Sequence, residues 1–151
     1  MIEVYTAPEA IPDQRYVTIF LGGSIEQGKA EHWQIEFIDY FKYKNITILN
    51  PRRLIWEASP SDEYFAEQVN WELDGLDIAD IIIIYLQPGT LSPVSLLELG
   101  LFAKSDNDKL IVCCPGDYFR SGNVNVVCSR YNIPLFKNKI DFFNHIEKIL
   151  K

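Results

Sequence analysis

The chain has 151 residues, 48% of them hydrophobic and 23% charged, with a formal net charge of −7 at pH 7. That length and balance suit one soluble domain spanning residues 1–151, and the negative charge argues against a sequence-independent grip on nucleic acid, which needs clustered Lys and Arg. No apolar run reaches membrane-span length, and Met1-Ile2-Glu3-Val4 has neither a basic region nor an apolar signal core, so no membrane contact and a cytoplasmic location are expected.

Residues 1–14, with Pro8 and Pro12, are a lead-in: a loop or an added edge segment. Residues 16–21 are a β-rich run ending at Gly22-Gly23, and residues 27–44 carry Trp33, Phe37, Ile38 and Phe41 at helical spacing. A short strand over 46–49 closes at Asn50-Pro51, and a helix is expected over 62–78 with Phe65, Val69, Leu73 and Leu76 as its apolar stripe. Residues 81–86 form a continuous apolar strand of the kind buried on both faces of a parallel sheet. A helix over 93–104, a strand over 110–114, a short helix near 124–130, a strand over 133–136 and a closing helix over 140–150 complete the chain. Strands alternating with helices predict an α/β fold, a flavodoxin-like doubly wound parallel sheet of five strands in the order 2-1-3-4-5 with helices on both faces.

Cys113, Cys114 and Cys128 lack metal-ligand spacing and cannot form a closed disulfide set, so they are expected as reduced core residues. His145 is expected on an exposed helix face and His32 at a surface or interface, which leaves little material for a histidine-based triad or metal site.

Ligands of such sheets bind beyond the carboxyl ends of the strands, where Gly22-Gly23-Ser24, Asn50-Pro51-Arg52-Arg53 and the 88–93 segment leave the sheet. The string from Gly23 to Lys29 fits G-x-x-x-x-G-K, but Ala30 stands where a magnesium-binding hydroxyl belongs, so a triphosphatase is disfavoured. The remaining readings are a tight turn with Ser24 as helix cap and a loop that cradles sugar or phosphate.

Glu98 stands among leucines in Ser95-Leu96-Leu97-Glu98-Leu99-Gly100, in the second turn of a helix that Ser92 caps and Pro93 opens. It is either a nucleophile kept ionised by the helix amino end or the far member of a capping box with Ser95. Glu72 lies on or beside the buried face of its helix, as a second carboxylate or as a solvated edge residue, and Asp80 reads as structural. Two carboxylates in one pocket are the equipment for breaking a glycosidic bond.

These residues resemble the nucleoside 2-deoxyribosyltransferases and the wider group that includes 2′-deoxynucleoside 5′-monophosphate N-glycosidases. The resemblance rests on Glu98-Leu99-Gly100 after the apolar strand, Gly23-Ser24-Ile25 after the first strand, Trp71-Glu72-Leu73 ahead of Ala79-Asp80, and Arg52 after Asn50-Pro51. It implies that Glu98 attacks C1′ of a 2′-deoxynucleoside, that a free nucleobase intercepts the deoxyribosyl ester with net retention, and that no cofactor or metal is needed. It also implies a homo-oligomer with a shared active site. In that scheme Glu72 serves the base, Gly23, Ser24, Arg52 and Ser92 line the substrate, and a neighbouring subunit supplies Asn123, with Asn125 as second choice. The transferases carry Asp where this chain has Glu72 and Ser92, whereas the monophosphate hydrolases resemble it at Ser92 and at Gly-Ser-Ile. Three functions follow: a deoxyribosyltransferase, an N-glycosidase acting on a deoxynucleotide, and a non-catalytic nucleotide sensor.

Overall fold

The computed structural model describes residues 1–151, the side chain of Gln27 excepted. Its strands are β1 (Glu3–Thr6), β2 (Val17–Gly23), β3 (Ile46–Asn50), β4 (Ile81–Tyr85), β5 (Leu110–Cys113) and β6 (Leu135–Phe136). Its helices are α1 (Trp33–Tyr40), α2 (Asp62–Ile78), α3 (Pro93–Ala103), α4 (Ser121–Arg130) and α5 (Lys139–Ile149). The six strands form one sheet in the order β1-β3-β2-β4-β5-β6, which corrects the expected five-stranded 2-1-3-4-5 arrangement. The added member is β1 in the lead-in, and its four half-buried residues carry none of the long apolar run that marks a central strand. Among the described residues, no helix is long and apolar enough to cross a membrane.

The chain divides into two compact units. The first comprises Met1–Leu21 and His32–Ile82. Here β1 and β2 both pair with β3 in parallel, Glu3 opposite Thr47 and Val17 opposite Ile46, and all five residues of β3 are buried. At one end of β2, Thr18 N donates to Asp80 Oδ2 at 2.8 Å and Asp80 N donates to Thr18 O at 2.9 Å, so Asp80 is a structural clamp. The helix expected over 27–44 is shorter. A 3-10 turn occupies Glu26–Gly28, where Gly28 takes a positive φ of 89° that an α-helix does not accept, and α1 begins only at Trp33.

Ser61 caps α2 by accepting from Tyr64 N, with Asp62 and Glu63 in the first turn where the helix dipole favours them. The buried face of α2 is Gln68, Trp71, Gly75 and Leu76, whereas Phe65, Val69 and Leu73 of the expected stripe are exposed. Gly75 explains the rotation. A Cβ there would stand 3.0 Å from the Phe20 ring, so the helix packs its glycine, not its leucine-valine row, against β2. Trp71 sits beside the same ring, centroids 6.4 Å apart, and its Nε1 donates to Glu9 O, tying the lead-in to α2.

The second unit comprises Gly22–Glu31 and Ile83–Lys151. β5 pairs with β6 in parallel, Val112 opposite Leu135, and Asn138 caps α5, whose Phe142, Phe143 and Ile146 are buried. His145 is half-buried against the Phe136 ring at 4.9 Å, because α5 turns that side toward β6; this corrects the exposed position expected of it. His32 is exposed. Cys113, Cys114 and Cys128 are buried and free, and burial pushes the thiols of Cys113 and Cys128 up to about 12 and about 11.

Candidate active site

In the second unit the chain leaves β2 through Gly23, whose φ of +123° and closeness to β4 admit no side chain: a Cβ would lie 2.3 Å from Tyr85 O. That approach lets Ser24 N donate to Tyr85 O and fixes the Ser24 hydroxyl. Ser24 Oγ accepts from Gln87 N at 2.8 Å and lies 2.9 Å from Thr90 Oγ1 and 2.6 Å from Ser92 Oγ. Thr90 Oγ1 donates to Gln87 O and lies 2.8 Å from Ser92 Oγ, so three buried hydroxyls close a triangle at the amino end of α3.

Ser24 therefore does not cap a helix, and Ser92 occupies the N-cap position of α3 without a capping bond from its side chain. Ser92 has a left-handed backbone, φ 50°, and turns its hydroxyl back to the triangle. Two contacts hold it there. Glu26 Oε1 accepts from Leu91 N at 3.0 Å and from Ser92 N at 2.6 Å, and Tyr118 Oη donates to Leu91 O at 2.6 Å. Burial pushes the Tyr118 hydroxyl up to about 12, which keeps it a donor at neutral pH.

Pro93 starts α3, so Ser95 lies inside the helix and the capping-box reading of Ser95 and Glu98 falls away. Glu98 is only 6% exposed, on the face that also buries Ser95, Leu99 and Phe102. Burial of a carboxylate beside Leu99 and Phe102 needs compensation by a partner or by chemistry. Farther round α3, Leu96, Leu99 and Gly100 line an open groove of about 300 Å³ with Arg120, Asn123 and Val127. Asn123 thus lies beside α3 of its own chain, while Asn125 accepts from Lys137 Nζ.

In the first unit Glu72 is half-buried on α2, and burial pushes its carboxyl up to about 7, against the lowering effects of a Gln68 hydrogen bond and the Arg53 charge. The group can therefore hold or release a proton near neutral pH. Arg53 pairs with Glu67 at 2.7 Å, donates to Gln68 Oε1 and stands 4.4 Å from the Tyr64 ring centroid. Gln68 Nε2 in turn donates to Pro51 O, so the loop after β3 is locked to α2 beside Glu72. Arg52 is buried, and its Nη1 donates to Gln34 Oε1.

Glu26, Gln87, Thr90 and Tyr118 escape the sequence reading because each acts through contacts made more than two dozen residues away or through a loop backbone. Thr90 alone had a visible signal, a hydroxyl between Gly89 and Ser92 in the segment that leaves β4.

A family model described as "Nucleoside 2-deoxyribosyltransferase like" matches residues 16–118. No curated protein matches the chain. Among solved structures, the crystal structure of a conserved protein from Enterococcus faecalis V583 superposes with a TM-score of 0.63 at 10% identity, covering 90% of this chain and 100% of that one. At that identity the likeness concerns the fold.

Proposed function

This chain belongs to the nucleoside 2-deoxyribosyltransferase-like family, and we propose that it breaks the N-glycosidic bond of 2′-deoxynucleosides through a deoxyribosyl ester on Glu98. The observation that carries this reading is Glu98 itself, a carboxylate 6% exposed on α3 just after the left-handed Ser92 and the hydroxyl triangle. In the first step a Glu98 oxygen forms a bond to C1′ while the C1′–N bond breaks, and the electron pair leaves with the base. The departing base takes a proton, for which Glu72, poised at about 7, is the donor. In the second step a free base attacks C1′ from the vacated face and displaces Glu98 while its N–H proton passes to the Glu72 carboxylate left by the first step, so two inversions give net retention. Water in place of the second base gives the N-glycosidase outcome with the same nucleophile.

Substrate contacts are assigned to Gly23, Ser24, Ser92 and Arg52. The active form is a homo-oligomer in which Asn123 serves a neighbouring copy. Two exposed apolar rows support association, Phe65, Val69 and Leu73 on α2 and Val94, Leu97 and Leu101 on α3.

One incubation tests the reaction. Deoxyinosine with free adenine is expected to yield deoxyadenosine and hypoxanthine, and free deoxyribose as the sole sugar product would favour hydrolysis. Glu98→Ala is expected to lower base release by about 10³-fold or more, as loss of a covalent nucleophile does. Unchanged release in that variant would remove Glu98 from the mechanism.

A further inference from the structure

The donors at the amino end of α3 are engaged by the chain's own acceptors. Glu26 Oε1 takes both Leu91 N–H and Ser92 N–H, Ser24 Oγ takes Gln87 N–H, and Gln87 O takes the Thr90 hydroxyl proton. The two amides on Glu26 are the kind of donors that an anion at a helix amino end otherwise uses. Here the anion is a side chain reaching 65 positions along the sequence to Leu91 and 66 to Ser92. Both Glu26 and Ser92 have left-handed backbones, φ 49° and φ 50°, a conformation costly for residues other than glycine and held by these bonds. The second carboxylate oxygen, Glu26 Oε2, makes no hydrogen bond or ion pair among the described residues, and the residue is only half-buried.

We propose that Glu26 is a specificity residue that selects a substrate with a free 5′-hydroxyl over its 5′-phosphate. The inference rests on the deoxyribosyl reading above, with the sugar at the amino end of α3. A phosphate brings only acceptors and negative charge, so it would meet a carboxylate where it needs donors. A primary alcohol brings a proton, which Glu26 Oε2 accepts. The contact that holds Ser92 in place is thus also the contact that rejects the charged ester. This weighs against the phosphate-binding role that the resemblance alone suggests for Ser92 and Gly23-Ser24-Ile25.

The test compares kcat/KM for a panel of deoxynucleosides and their 5′-monophosphates in the wild type and in Glu26→Gln. The amide keeps an oxygen for the two N–H donors and removes the charge. The wild type is expected to favour the nucleosides by about tenfold or more, and the variant to narrow that ratio about tenfold, the scale of one removed charge repulsion. A wild-type preference for the monophosphates would overturn the inference. So would an equal change for both substrates, the signature of a contact that only holds the loop.

Calorimetric binding of 2-deoxyribose 5-phosphate gives a readout that needs no turnover. Tighter binding by Glu26→Gln than by the wild type supports the role of Glu26, and equal binding overturns it. If the wild type cleaves neither substrate, the catalytic reading fails while this comparison still decides Glu26.

Discussion

On α3, Glu98 follows a left-handed Ser92 whose backbone and hydroxyl are held by Glu26, Tyr118 and Ser24 from other segments and by Thr90 from its own loop. On α2, Glu72 sits midway along a regularly capped helix, and its surroundings come from its own helix and the loop after β3. The first arrangement spends strained backbone and three buried hydroxyls on the start of a helix. The second sets a nearby guanidinium charge and one amide against the burial of a carboxyl group and leaves its affinity for a proton near neutrality. Rigid placement suits an attacking atom, which must meet C1′ in one geometry. A tunable proton suits a group that serves a departing base.

Three perturbations sharpen or break this contrast. The largest effect is expected at Gly23, where Gly23→Ala adds a Cβ 2.3 Å from Tyr85 O at a φ of +123°. A backbone atom cannot yield as a side-chain end can, so the variant is expected to lose about 3 kcal/mol or more of stability, read as a fall in the denaturation midpoint. A midpoint within error of the wild type would show that the hydroxyl triangle does not depend on that close approach.

Glu72 provides the second. Its native value of about 7 exceeds the ordinary 4.5, so between these limits the folded chain keeps a proton that the unfolded chain releases. The stability contribution is complete below about 4.5 and fades as pH rises toward 7. Glu72→Gln is expected to remove that decline, a difference of about 1–2 kcal/mol between denaturant titrations at pH 5 and pH 8 after allowance for partial exposure. It is also expected to lower kcat about tenfold and to erase an activity limb near pH 7. An unaltered pH profile would assign Glu72 to packing alone.

The smallest effect on folding is expected from Val69→Lys and Leu97→Lys, which place a charge in the exposed rows of α2 and α3. Surface substitutions of this kind change stability by about 0.5 kcal/mol or less. Light scattering should nevertheless show a smaller assembly for whichever row is buried between copies. If neither variant changes the mass of an oligomeric wild type, the interface lies elsewhere.

The helix over Asp62–Ile78 and the strand at Ile81–Tyr85 were legible because each carries a strong local pattern, apolar residues at helical spacing or an unbroken Ile run. The orientation of α2 was not. Periodicity marks Phe65, Val69 and Leu73 as one row, but Gly75 and Trp71 decide which row meets the sheet, through a ring that comes from β2. The edge strand β1 was left open between loop and strand, since four half-buried residues carry little pattern and depend on the edge that β3 offers. Glu98 and Ser92 stood out by composition and spacing, and the family match covers both. Glu26 did not, because nothing local in Ile25-Glu26-Gln27 announces that its carboxylate meets the amides of Leu91 and Ser92.

The cysteines have a practical side. Cys113, Cys114 and Cys128 are all buried, and burial raises each thiol above its ordinary value, so almost none is thiolate at neutral pH. Maleimide and iodoacetamide reagents act on thiolates within reach, and in the native protein these three offer neither charge nor access. One cysteine introduced at exposed Ser129 or Asn144 would then be the sole fast-reacting position, ready to carry a fluorophore or spin label without first stripping the core of its sulfur.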